Sequence, residues 1–134
     1  MTVNFYEASE IDDSLFKYAV VVARYNEQWI FCKNKNRQWE LPGGHRESGE
    51  SIYETAKREL AEETGATQFT LVPVCAYSIT DYGMLFFADV EALGSLPDFE
   101  IEKIGFFDEL PSCLSFPLFH PFHFKRVKDL LYDS

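Results

Sequence analysis

Gly44–Ala66 reads GHRESGESIYETAKRELAEETGA, and the rest of the chain is organised around it. Ser51 with Glu54 three residues later has the pattern of a capping box, in which each side chain satisfies a backbone donor at a helix start. Gly65 is the matching stop, because glycine adopts the left-handed conformation at little cost. The stretch therefore predicts a helix over Ile52–Thr64, entered from a glycine-rich turn, Pro42-Gly43-Gly44.

At about 100° per residue, Ile52, Ala56 and Leu60 share one apolar stripe roughly 80° wide. Glu63 falls in the middle of that stripe and Glu59 near its edge. Glu62 lies about 60° from Glu59 the other way, with Arg58 one turn before it. Charge runs are commonly solvated faces, and a pair such as Arg58–Glu62 contributes only about 0.2–0.5 kcal/mol. Solvating glutamates, however, belong opposite the apolar stripe. Carboxylates gathered at the end of a buried face repel one another unless a cation sits among them, and a hard, oxygen-seeking divalent ion such as Mg²⁺ answers that need. The spacing points to a metal site and names no reaction.

The same residues carry a resemblance. The stretch is similar to the signature of the Nudix hydrolase family, G-x5-E-x7-R-E-U-x-E-E-x-G-U with U a bulky aliphatic residue, and more loosely to its MutT-like branch. Gly44, Glu50, Arg58, Glu59, Leu60, Glu62, Glu63 and Gly65 all match; only Ala66 departs, at a packing position. The entry Trp39-Glu40-Leu41-Pro42-Gly43-Gly44 and the later Glu100-Ile101, Phe106-Phe107 and Glu109-Leu110-Pro111 extend the likeness over about residues 16–111.

Composition bounds the answer further. The 134 residues suit one domain, 1–134, with a sizeable core. A net charge of −10 argues against a nucleic-acid backbone as partner. Cys32, Cys75 and Cys113 form no C-x-x-C pair and read as reduced, buried thiols. No apolar run approaches the roughly 20 residues that cross a bilayer, so the expectation is a cytoplasmic protein, monomer or homodimer. Strands are expected at Val3–Tyr6, Phe16–Arg24, Gln28–Lys33, Gln68–Thr80 with a bulge or break at Pro73, Met84–Val90 and Glu100–Phe107. Asp81-Tyr82-Gly83 reads as a turn, Glu91–Phe99 as a loop and Pro121–Tyr132 as a closing amphipathic helix. This order suggests an α/β layered domain with a mixed sheet. The resemblance implies the same, an α/β/α sandwich whose signature forms a loop–helix–loop.

The resemblance also implies an activity: metal-dependent hydrolysis of a nucleoside diphosphate linked to another moiety, with Mg²⁺ or Mn²⁺ as cofactor and a small nucleotide as substrate. A nucleoside triphosphate, oxidised forms included, cut to monophosphate and pyrophosphate is the first expectation. Diadenosine polyphosphates, nucleotide sugars or a non-catalytic binding module are the alternatives. By the same resemblance Glu59, Glu62 and Glu63 hold metal, with the Gly43 carbonyl as backbone ligand, while Glu50 and Arg58 orient them. Helical spacing independently puts Glu59 and Glu63 one turn apart. The general base is open between Glu59 and an acid outside the signature, Glu100 or Glu102. For the rings of 116–124 core packing is the first expectation, for His120 and His123 a capping or surface role as much as phosphate contact. Lys33, Lys35 and Arg37 are either phosphate-neutralising or solvated.

Overall fold

The computed structural model describes residues 2–96 and 101–132. Its organising strand is β2 (Phe16–Tyr25), a run of small and β-branched residues. Ala19, Val21 and Ala23 are fully buried on one face; Val22 is fully buried on the other, with Tyr18 and Val20 beside it. A strand covered on both faces reads as a nearly continuous apolar run, as this one does. Its neighbours are β7 (Tyr82–Leu93), parallel, and β3 (Gln28–Asn34), antiparallel, which makes the sheet mixed. Beyond β7 come β6 (Ala66–Ser78) and β1 (Asn4–Tyr6); beyond β3 lie β4 (Trp39–Glu40) and β8 (Ile101–Phe107).

One helix covers each face. α1 (Ile52–Thr64) sets Ile52, Ala56 and Leu60 into the core with Ala19, Val21 and Ala23. α2 (His120–Tyr132) sets Phe124 and Val127 into the opposite core with Val22, Trp29 and Phe31. The result is the expected α/β/α sandwich. The capping box is formed, with Glu54 N–H donating to Ser51 Oγ at 3.1 Å and Ser51 N–H to Glu54 Oε1 at 2.8 Å. Gly65 closes the helix at φ 78°.

The sheet forks beside β2. β3 pairs with it only at Ala23–Tyr25, and β5 (Gly43–His45) takes the same edge along Tyr18–Val20. This corrects the reading of Pro42-Gly43-Gly44 as a turn: Gly43 and Gly44 are strand residues, and neither has positive φ. Glycine is required there for space. A Cβ on Gly43 would lie 2.4 Å from the Ala19 carbonyl oxygen, and one on Gly44 2.5 Å from the Glu59 carboxylate.

Other boundaries shift as well. Tyr82 and Gly83 begin β7 instead of forming the turn, and β7 runs on to Leu93 through part of the expected loop, held by its long pairing with β6. The register slips between Pro73 and Cys75, the bulge expected of a proline in a strand. Cys32 and Cys75 are buried free thiols, whereas Cys113 is exposed, contrary to expectation, because it lies in the loop before α2. No helix among the described residues is long and apolar enough to cross a membrane.

Candidate active site

The fork in the sheet opens a cavity of about 700 Å³. Tyr18, Ala19 and Val20 of β2 and Gly43–His45 of β5 floor it, and Glu59 and Glu63 of α1 stand at one side. Opposite them are Phe116, Phe119, His120 and His123. That far wall is stitched to β4: Trp39 N–H donates to Cys113 O at 3.1 Å and Ser115 N–H to Trp39 O at 3.0 Å. One residue on, Leu41 N–H donates to His120 Nδ1 at 3.2 Å.

Arg58 organises the acidic side. Its Nε and Nη2 donate to the two Glu50 oxygens at 2.5 and 3.1 Å, and Nη1 donates to Glu59 Oε1 at 2.8 Å and Glu62 Oε2 at 3.3 Å. Nη2 also donates to the His45 carbonyl at 3.0 Å, tying α1 to β5. Glu50 accepts further from the Thr55 hydroxyl at 2.9 Å and the Glu47 N–H at 3.0 Å. Arg58 and these donors hold the Glu50 carboxyl at about 2, so it is an anion wherever the protein is folded near neutrality. Glu50 in turn keeps Arg58 charged and its proton tightly held.

Glu59 and Glu63 are shifted the other way. Burial raises the Glu59 carboxyl although Arg58 opposes the shift. Burial pushes Glu63 to about 8, with repulsion from Glu59, Glu40 and Glu62 adding to it, against one hydrogen bond from Gly43 N–H at 2.6 Å. Two half-buried carboxylates with a third acid nearby form an electrostatically unfavourable set, and a hard divalent cation would relieve it. An all-oxygen donor set of this kind fits Mg²⁺ or Mn²⁺. Among the described residues, however, no three His, Cys, Asp or Glu side chains are gathered closely enough to enclose a metal ion. Glu62 is drawn outward onto Arg58 and is about a third exposed. Gly43 meets Glu63 through its N–H, whereas the resemblance had implied its carbonyl as a metal ligand.

The remaining expected residues divide. Glu100 lies outside the described residues, and Glu102 falls in β8. Of Lys33, Lys35 and Arg37, Arg37 lines the cavity. His120 and His123 are buried in the wall at 7% and 1% exposure, instead of capping or lying at the surface. Phe124 packs in the core as expected, whereas Phe116 and Phe119 border the cavity. Tyr82 packs on Tyr6 at 5.7 Å, away from the cavity. Sequence reasoning named Glu40 only as part of the Trp39–Gly44 entry and gave it no role in the site.

A family model described as NUDIX domain matches residues 15–117. The chain belongs to the NUDIX family. Two curated relatives from Bacillus subtilis (strain 168) agree. The "Putative 8-oxo-dGTP diphosphatase YtkD" is 34% identical over 105 residues, 74% of this chain and 66% of that protein. A second, named "Putative 8-oxo-dGTP diphosphatase", is 32% identical over 83 residues, 59% of this chain and 56% of its own length. The match thus spans under two thirds of either relative. Among solved structures, a mutant form of the Bacillus subtilis pyrophosphohydrolase BsRppH superposes with a TM-score of 0.82 at 26% identity, covering 98% of this NUDIX chain and 93% of that one. The NUDIX domain of Shewanella oneidensis NrtR, complexed with ADP ribose, shares the fold at TM-score 0.60 and 15% identity, with 94% of each chain covered.

Proposed function

We propose that this NUDIX protein hydrolyses nucleoside triphosphates, oxidised ones included, to nucleoside monophosphate and pyrophosphate in the cytoplasm, with Mg²⁺ or Mn²⁺ as cofactor. The observation that carries the reading is the cavity itself. Carboxylates that burial and mutual repulsion destabilise stand at one side, and aromatic rings with neutral polar groups face them across a space of nucleotide size. The two relatives named as 8-oxo-dGTP diphosphatases support the substrate class.

In this reading Glu59, Glu62 and Glu63 hold the metal with backbone at Gly43. When bound, the cation polarises phosphoryl oxygens and lowers the pKa of water. The chain does the rest. Arg58 fixes Glu59 and Glu62 through its fork of hydrogen bonds and is itself anchored by the Glu50 anion and the His45 carbonyl. Gly44, lacking a side chain, leaves room for the Glu59 carboxylate against β5, and Gly43 lets β5 lie close against β2. Arg37 lines the cavity, ion-paired with Glu40 at 3.1 Å, and is the cation we assign to the charge of a polyphosphate. Water attack needs a carboxylate to take up its proton, a role we give to Glu100, with Glu59 and Glu102 as the alternatives.

The test is a panel of nucleoside triphosphates, nucleotide sugars, ADP-ribose and diadenosine polyphosphates, with Mg²⁺, Mn²⁺ or chelator, products resolved by chromatography. Monophosphate and pyrophosphate from a triphosphate, lost with chelator and reduced at least ~10²-fold by Glu62→Gln, is the expected result. No hydrolysis anywhere on the panel would leave a nucleotide-binding module instead.

A further inference from the structure

Arg37 and Glu40 both line the cavity, and the chain between them is shaped to bring their side chains together. The turn after β3 closes with Arg37 N–H donating to Asn34 O at 3.1 Å, Asn36 lying in the left-handed region at φ 67°. The chain then returns as β4, where Glu40 pairs with Cys32 of β3. Side chains two apart on a strand share a face, and Ile30 packs in the core beneath α1. Glu40, opposite Cys32, therefore points to the α1 side, where Glu63 also lines the cavity.

The Glu40 carboxylate is buried and meets Arg37 Nε at 3.1 Å. Arg37 itself is half-exposed, with its guanidinium 6.0 Å from the centre of the Phe116 ring. A buried carboxylate stripped of its cation is strongly destabilising, so Glu40 draws Arg37 in over the cavity. The contact lacks the alignment of a hydrogen bond, and charge alone holds it. Glu40 also repels Glu63. It thus interacts with a cation and an acid at once, and the two interactions are linked. Positive charge placed beside Glu63 attracts Glu40 as well, repels Arg37, and weakens the hold of one on the other.

Resting on the diphosphatase reading above, we propose that Glu40 is a positioning residue that holds Arg37 in the free protein and releases it to the substrate's phosphates when a divalent cation joins the α1 glutamates. Without the cation, a polyphosphate must displace Glu40 to reach Arg37, and it meets the charge of Glu40 as well. With the cation in place Arg37 turns to the phosphates, for which its planar fork of donors is suited. Cation and polyphosphate then strengthen each other's binding by the same factor.

Removing the charge of Glu40 differs from removing the whole pair, and the test uses both. The probe is inorganic tripolyphosphate, its binding measured by calorimetry on chelator-treated protein. Glu40→Gln should bind it at least ~5-fold tighter than wild type does, whereas Arg37→Gln/Glu40→Gln, which removes a neutral pair, should match wild type within about twofold. With Mg²⁺ and a nucleoside triphosphate, the wild-type KM should lie at least ~5-fold below that of the double variant, the difference being carried by KM and not by kcat. A purely structural ion pair leaves wild type and double variant alike in both conditions, and a cation always open to phosphate separates them in both. Either pattern would overturn the proposal, as would tripolyphosphate binding to none of the three proteins. Nitrogen-15 NMR of the Arg37 side chain in wild type, assigned by the loss of its signal in the double variant, reads the release without altering the pair. Mg²⁺ should speed exchange of the Arg37 Nε–H with solvent, and an unchanged rate would overturn the release. If no triphosphate is hydrolysed, the diphosphatase reading fails by itself, and the tripolyphosphate and NMR measurements still decide the role of Glu40.

Discussion

Adjacent glycines in β5 should respond to the same substitution in opposite ways. In Gly44→Ala the nearest atoms to the new methyl would be those of the Glu59 carboxylate, at 2.5 Å from Cδ and Oε1 and 2.8 Å from Oε2. Ordinary contact begins near 3.4 Å, so the carboxylate must retreat by about 1 Å. A flexible side-chain end can do this, so the stability loss should stay below about 1 kcal/mol, a few degrees in Tm for a domain of this size. Activity should not be spared. Glu59 would leave its 2.8 Å contact with Arg58, and a 1 Å misplacement at a catalytic centre lowers turnover about 10²-fold. In Gly43→Ala the methyl would instead meet backbone, 2.4 Å from Ala19 O and 3.1 Å from Val20 Cα. Backbone in the central strand cannot yield cheaply, and overpacking of this kind costs about 1–3 kcal/mol. Thermal melts and nucleotide hydrolysis on both variants are the assay. Gly44→Ala with activity within twofold of wild type would refute the role given to the Glu59 position. A large fall in its Tm would refute the claim that the side chain absorbs the clash.

Arg58→Lys should leave the fold intact and lower activity about 10–100-fold at limiting metal, because a single ammonium cannot bridge Glu50, Glu59 and Glu62 together; steady-state kinetics against metal concentration reads this. Acid should destabilise the protein through the two histidines. Their folded values, about 4 and 3, lie below the ordinary 6.5, so the unfolded chain binds the extra protons, and stability present above pH 6.5 is lost as pH falls toward 3. By pH 4.5 each imidazole contributes up to about 2–3 kcal/mol of destabilisation. Glu63 acts in the opposite sense: raised to about 8, it contributes stability that is complete below 4.5 and lost as pH rises through 8. Metal-free melts of Glu63→Gln should therefore expose the histidine-driven fall, and His123→Leu in that background should remove a large part of it.

How much was legible beforehand follows from the range of the interactions involved. α1 came out at its expected bounds because its stop and start are local: Ser51, Glu54 and Gly65 act within one turn of the residues they cap. Its buried face followed from Ile52, Ala56 and Leu60 alone, and the Pro73 bulge followed from one missing N–H. The glycines of β5 were misread because their reason is non-local: they face Ala19 and Glu59, 24 and 15 positions away in the chain for Gly43 and Gly44 respectively. The cavity wall escaped for the same cause. Nothing in the local pattern around His120 reveals that it accepts from Leu41, and Glu40 is remarkable only once β3, β4 and β5 have closed around it. Periodicity found the carboxylates but could not show that Arg58 draws Glu62 away from Glu59 and Glu63.

The central claim is that the glutamates of α1 serve a divalent cation in cutting a nucleotide diphosphate bond. The measurement that reaches it most directly is release of pyrophosphate from a nucleoside triphosphate as Mg²⁺ is titrated into chelator-treated protein, wild type beside Glu63→Gln. The account predicts turnover that rises from nothing with the cation and falls at least ~10²-fold in the variant at every concentration. Turnover that persists in chelator, or a variant that tracks wild type across the titration, would contradict it.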